Sequence, residues 1–208
     1  MKKIFVLTAA AVVVLLGARQ YQNNKMTEEI AEKIIRFHVL ANSDSKEDQQ
    51  LKLKVRDAIG NFMQPRLSGI SDIEKSREVV EKNLLAIEEE AKKVISEEGY
   101  TYTVSAKLTK TQFPQKTYGN YTFQAGSYEA LEVIIGKGGG QNWWCVMYPN
   151  LCFFGSTYEV VDKEAEKSLE CVLTPEEYKS LMENKDYEVK FALRDFWKDI
   201  TEAVAIFD

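Results

Sequence analysis

From Ile34 the chain alternates, with Ile35, Phe37, Val39 and Ala41 on one side and Arg36 and His38 on the other. That period of two predicts a half-buried strand, which Asn42-Ser43-Asp44 ends. Ser45 with Asp48 three residues on is a capping-box pattern, and Leu51, Val55, Ala58 and Phe62 then recur on one helical stripe through about Met63. Asp48, Lys52 and Arg56 fall at i,i+4 spacing on another face, which predicts a solvated surface. Pro65 and Gly69 break the chain before a second start at Ser71, with Glu74 three residues on. Ile73, Val80, Leu84, Ile87, Ala91 and Val94 then keep helical spacing until Gly99. This predicts one long helix of roughly 40 Å at ~1.5 Å per residue.

Beyond Gly99 the period returns to two. Tyr100, Tyr102, Val104, Ala106 and Leu108 alternate with polar partners, and Tyr121–Gln124, Leu131–Ile135 and Trp143–Met147 offer further strands between turn residues. The gaps are short for helical crossovers, so antiparallel pairing is expected. Thr174-Pro175-Glu176-Glu177 combines an N-cap, a proline at the first helical position and a box-closing glutamate. A last strand over Tyr187–Leu193 and an amphipathic helix carrying Trp197, Ile200, Val204 and Phe207 complete the pattern. The expected fold is α+β, a mostly antiparallel sheet with packed amphipathic helices.

The N-terminus departs from that pattern. Lys2 and Lys3 precede an uncharged run, Ile4 to Ala18, that is apolar all round: an export signal or an anchor helix. At 15 residues it is shorter than the ~20 that span a bilayer, which favours a signal peptide. Cleavage after Ala18, however, puts Leu16 where a small residue is preferred, so an uncleaved tether stays open. The expected organisation is residues 1–18 as signal or anchor, 19–25 as a polar linker and 26–208 as a single α+β domain. With 45% hydrophobic and 28% charged residues, the rest of the 208-residue chain reads as a globular domain with a real core. Its formal charge is −5, and loss of Lys2 and Lys3 takes it to −7. Such an acidic domain lacks the clustered Lys and Arg that nucleic acid or an anionic membrane surface needs.

The unusual chemistry is concentrated in Gly136–Phe153. Cys145 and Cys152 flank Tyr148-Pro149-Asn150, so a hairpin centred there sets them opposite each other and invites a disulfide. Closing so small a loop stabilises by roughly 2 to 3 kcal/mol, and the Tyr-Pro bond is a place for a cis peptide. The opposing readings are two free buried thiols, with Cys171 as an odd third, or a nucleophilic Cys145 with His38, the single histidine, as its base and Asn142 or an acid as orienter. A lone histidine on a strand is more often structural. Trp143 and Trp144 are adjacent, so in a strand they face opposite sides, and one of them is a candidate surface anchor. Gly136-Lys137-Gly138-Gly139-Gly140 fits neither a P-loop nor a dinucleotide fingerprint and reads as a flexible strand connection. No metal site is expected from one histidine and no ligand-type cysteine pair. Glu88-Glu89-Glu90 and Glu176-Glu177 read as solvated helix faces.

Two stretches, IIRFHVLANSDSKEDQQLKLKVRDAI at Ile34–Ile59 and GSYEALEVIIGKGGGQNWWCVMYPNLCF at Gly126–Phe153, together resemble the stage II sporulation protein R family of endospore-forming bacteria. Strand, capped helix, glycine turn, Trp-Trp-Cys and second Cys stand in the family's order. Asn150 departs from it, where the family is expected to carry a second proline before Leu-Cys. The resemblance implies a non-enzymatic signalling protein, exported from the forespore into the space between the two sporulation membranes. There it would activate a membrane-embedded aspartic protease of the mother cell, which cleaves a sporulation sigma factor precursor. No catalytic residue and no cofactor is then expected. The partner-binding set is His38, Asn42, Ser43, Asp44, Asn142, Trp143, Trp144 and Tyr148, with Cys145 and Cys152 as the disulfide candidates. The alternative from another class is an exported cysteine hydrolase using Cys145 and His38.

Overall fold

Strand β1 (Ile35–Leu40) lies inside the sheet and is buried on both faces, where the alternation predicted one. Its polar side chains, Arg36 and His38, are 0% and 2% exposed, because elements that the sequence did not separate cover that second face. The computed structural model describes residues 2–151 and 163–183. The expected strand over 187–193 and the C-terminal helix lie outside them, as does Cys152.

After β1 come α2 (Lys46–Leu67), α3 (Ile73–Lys82) and α4 (Leu84–Glu97). Ser45 caps α2 as the capping-box pattern predicted, its hydroxyl accepting from the Asp48 N–H at 3.1 Å. The buried stripe is Leu51, Val55, Ile59, Met63 and Leu67. It lies one residue past the expected Ala58 and Phe62, and the helix runs on past Pro65 to Leu67. Asp48 and Lys52 are buried too, so the face expected to be solvated carries a packed polar cluster instead. The expected 40 Å helix is two helices. Asn83 breaks it with φ −103° and ψ 4°, its side-chain amide donating to the Val79 carbonyl at 2.7 Å in competition with the backbone ladder. The first of them is capped by Asp72 rather than Ser71, and Gly99, at φ 81°, follows the second.

Strands β2 (Val104–Phe113), β3 (Lys116–Tyr118), β4 (Tyr121–Phe123), β5 (Gly126–Ile135) and β6 (Asn142–Tyr148) follow. The main sheet has the order β2-β5-β1-β6, with β3 and β4 forming a separate hairpin. It is mixed. The β2–β5 and β1–β6 pairs are antiparallel, but the central β1–β5 pair is parallel, Arg36 facing Ala130 and Leu40 facing Ile134. Most pairs are antiparallel, as expected; the parallel β1–β5 pair is the exception, since the connection from β1 to β5 carries three helices, ample for a crossover. A bulge between Ile35 and Arg36 sets Tyr148 and then Val146 opposite successive β1 residues.

One face of the sheet packs Phe37, Val39, Leu131 and Val133 against Val55, Ile59 and Ile87 of the helices. The other packs Tyr128 and Ala130 against Ile30, Phe113, Phe123, Leu169 and Leu181. Those last two come from α5 (Lys163–Val172) and α6 (Pro175–Glu183). The box at Thr174 closes as expected, but Glu177 is buried, not solvated. It accepts from the Thr174 N–H at 2.7 Å and pairs with Lys33 at 2.7 Å.

Helix α1 (Lys2–Ala31) is continuous, so the polar segment 19–25 is helical and joins the apolar run to the domain without a break. Among the described residues no helix is long and apolar enough to cross a membrane.

Candidate functional site

The end of the sheet where β1 and β5 finish holds most of the residues singled out from sequence. Asn42, Ser43 and Asp44 leave β1 there, and Gly136–Gln141 leaves β5 and folds back onto them. The Gly139 and Gly140 N–H groups donate to the Asn42 and Ala41 carbonyls at 3.2 and 3.0 Å. Asn42 Oδ1 accepts from Lys137 N at 3.1 Å, and Asp44 Oδ1 accepts from Gln141 N at 2.7 Å. A methyl at Gly140 would stand 2.2 Å from the Ser43 carbonyl oxygen, so only glycine permits this approach. The run expected to be a flexible connection is a docked loop.

Below it, α2 supplies groups that sequence reading passed over as solvated. Asp48 Oδ2 accepts from Asn42 Nδ2 at 2.9 Å and Ser43 Oγ at 2.5 Å. The Ser43 hydrogen bond, more than burial opposes it, holds the Asp48 carboxyl below its usual range. Lys52 Nζ donates to the Gln141 carbonyl at 3.0 Å and to Gln49 Oε1 at 2.5 Å, with burial pushing its pKa down. The capping-box spacing was the signal for Asp48. For Lys52 there was none, since nothing local shows that a loop 89 residues further on would cover it.

Asn142 and Trp143 open β6 beside this network. Trp143 packs edge-on against Phe37, with ring centroids 5.6 Å apart, while the Arg56 guanidinium lies 4.9 Å over its ring. Trp144 faces the other way, as adjacent strand positions require, and stacks on His38 at 5.0 Å and 5°. Both tryptophans are half-buried. His38 Nε2 stands 3.1 Å from Glu132 Oε2 without hydrogen-bond alignment, and Glu132 also pairs with Lys107 at 2.7 Å. Burial, only partly opposed by Glu132, holds the imidazole below its ordinary pKa and therefore neutral. Tyr148 lies at the opposite end of β6, 3% exposed, ahead of a cis Tyr148-Pro149 bond. The structure thus brings Asn42, Ser43, Asp44, Asn142 and Trp143 together at one end, places Trp144 and His38 on the second face, and separates Tyr148 from all of them.

Two further findings bear on chemistry. Cys145 is disulfide-bonded and Cys171 is a free, exposed thiol; Cys152 is the remaining cysteine of the chain. Arg36, which no motif marked, sits wholly buried among Phe113, Phe123, Tyr128 and Tyr118, its guanidinium carbon 4.4 to 5.8 Å from their ring centroids. It donates to the Cys145 carbonyl at 2.9 Å and to the Tyr118 hydroxyl at 3.1 Å, and Nη1 has no hydrogen-bond partner. Desolvation lowers its pKa. Among the described residues no group of three His, Cys, Asp or Glu side chains is placed to hold a metal ion. At this end of the sheet Asn42, Ser43, Asp44, Asp48 and Lys52 are tied together by hydrogen bonds, while the Asn142 side-chain oxygen is buried without a hydrogen-bond partner among the described residues.

The family model described as Stage II sporulation protein R matches residues 31–158, from the end of α1 through β6 and beyond. The chain belongs to the stage II sporulation protein R family. Stage II sporulation protein R of Bacillus subtilis (strain 168) is 37% identical over 212 residues, covering 95% of each chain. No solved structure matches. In this member of the stage II sporulation protein R family the matched region therefore contains β1, the glycine loop and Trp143, which build the docked end of the sheet, together with Trp144 and Cys145.

Proposed function

We propose that the chain is an exported sporulation signal that activates a membrane-embedded aspartic protease by binding it. Made in the forespore and moved into the space between the two membranes, it engages the mother-cell protease, which then cuts a sporulation sigma factor precursor. Membership of the stage II sporulation protein R family over nearly the whole chain carries this reading. The disulfide at Cys145 supports export, since such bonds persist in oxidising compartments. It also takes away the thiolate that a Cys145–His38 hydrolase needs.

In this reading Asn42, Ser43, Asp44, Asn142 and Trp143 form the contact end, with Trp144 beside it. His38 and Tyr148 are too buried to touch a partner and act from inside, His38 by stacking under Trp144. No residue of the chain performs chemistry. Binding stabilises a competent state of the protease, by as much as its affinity for that state exceeds its affinity for the resting one.

The test is reconstitution of the exported chain, the protease and the precursor in a non-sporulating host. Precursor cleavage is expected only when the chain is present and exported. Equal cleavage without it, or with the chain held in the cytoplasm, would overturn the reading.

A further inference from the structure

Strand β2 is an edge of the main sheet, and every second residue along it turns its backbone groups away from β5. Two hydrogen bonds fix which residues these are. The Ala106 N–H donates to Glu88 Oε1 of α4 at 2.9 Å and so points outward, whereas the Thr103 carbonyl accepts from Gly136 on the inner side at 2.8 Å. Leu108, Lys110 and Gln112 belong to the outward set with Ala106. Each presents one N–H and one C=O, and among the described residues none of these groups is hydrogen-bonded. Glu88, expected from sequence to be solvated, closes the edge at Ala106, and beyond it the edge is open through Gln112. Residues 108–112 span about 17 Å at ~3.4 Å per residue, the usual length of one strand.

Edges that proteins do not use are blunted by short strands, bulges, proline or a covering element. β2 has 10 residues, pairs with β5 in one unbroken register and contains no proline. Lysine is the one blunting device in it. Lys107 pairs with Glu132 at 2.7 Å, but Lys110 is exposed, and Glu129, which faces it on β5, is held by Arg77 at 2.9 Å. The two-fold register that pairs all three outward residues with a second copy sets Lys110 against Lys110. Self-pairing is therefore disfavoured, while a strand bearing an acid at that position is attracted.

We propose that residues 108–112 take up one extended segment of the protease as an added strand, with an apolar residue opposite Leu108 and a carboxylate opposite Lys110. Half-buried Leu108 packs on the helix-side core, and alternation puts Lys110 on the same face, so the residues directly opposite them meet these two side chains. Main-chain bonds supply affinity, and the two side chains set the register. This rests on the protease-activation reading and adds what the partner must present.

The experiment combines the reconstitution with residue-resolved hydrogen exchange of the chain, alone and with the detergent-solubilised protease. Lys110→Pro removes an outward N–H and leaves the bonds to β5 in place. Its denaturant midpoint is expected to hold while precursor cleavage falls at least about tenfold. Lys110→Glu leaves the backbone unchanged and is expected to weaken triggering about two- to fivefold; it decides the question should proline lower the midpoint. The Leu108, Lys110 and Gln112 amides are expected to exchange fast in the free chain and at least about tenfold more slowly with the protease bound. Full triggering by both variants, or unchanged exchange in a complex that still triggers, overturns the added strand and leaves protease activation standing. Slow exchange of these amides in the chain alone means that the edge is already covered, by the chain itself or by a second copy, and overturns it too. A parent chain that triggers no cleavage overturns both readings.

Discussion

On one face of the sheet Phe37, Val39, Leu131 and Val133 meet Val55, Ile59 and Ile87 in an apolar core. On the other, Arg36 and His38 are just as deeply buried among Phe113, Trp144, Tyr118, Phe123 and Tyr128, with carbonyl and hydroxyl oxygens as the polar partners. The same strand supplies both. The first face is held by area removed from water, whereas the second carries a desolvated charge that, among the described residues, ring faces and two acceptors compensate. Burial alone therefore does not tell which face tolerates which change.

The largest expected effects separate the two. Phe37→Ala should cost about 3 to 5 kcal/mol in chemical denaturation, from lost burial plus an unfilled cavity. Arg36→Ala should cost about 3 kcal/mol, but Arg36→Met, near it in volume, should lie within about 1 kcal/mol of the parent or above it, since it removes the desolvated charge. An Arg36→Met protein as unstable as Arg36→Ala would show instead that the bonds to Cys145 and Tyr118 hold that face together.

Next in size is the docked end. Gly140→Ala should destabilise by about 2 kcal/mol and free the 136–141 loop in hydrogen exchange, because its methyl would meet the Ser43 backbone. Gly139→Ala, whose methyl would sit 3.4 Å from the Asn42 carbonyl oxygen, should change stability by less than about 0.5 kcal/mol. Equal effects at the two positions would mean the loop is not pinned as described.

The smallest is a pH dependence of the second face. Glu132, Lys107 and Arg36 are the charged groups acting on His38, and burial wins over Glu132 to keep the folded pKa below the unfolded value. The unfolded chain thus binds more protons as pH falls through about 6.5. Stability from this site should be complete above that pH. Below it, stability should decline by at most about 1.4 kcal/mol per pH unit, until the folded histidine also protonates. His38→Phe should flatten that slope in denaturant midpoints between pH 7 and 5; an unchanged slope would assign it elsewhere.

Local signals in the sequence were reliable where the physics is local. The capping boxes at Ser45 and Thr174, the presence of strands at β1 and Leu131–Ile135, and the opposite facing of Trp143 and Trp144 each depend on neighbours within a few residues. Asn83 also acts locally, but helical spacing continued past it and concealed the break. The resemblance to the stage II sporulation protein R family was legible for the same reason, in the order of short motifs. Pairing was not. Whether β1 joins β5 in parallel, and which residues cover Arg36, His38, Asp48 and Lys52, depend on segments tens of residues away. Only the assembled fold could turn a glycine run into a wedge and a solvated stripe into a buried network, because each of these is decided by what packs against a residue and not by what stands next to it in the chain.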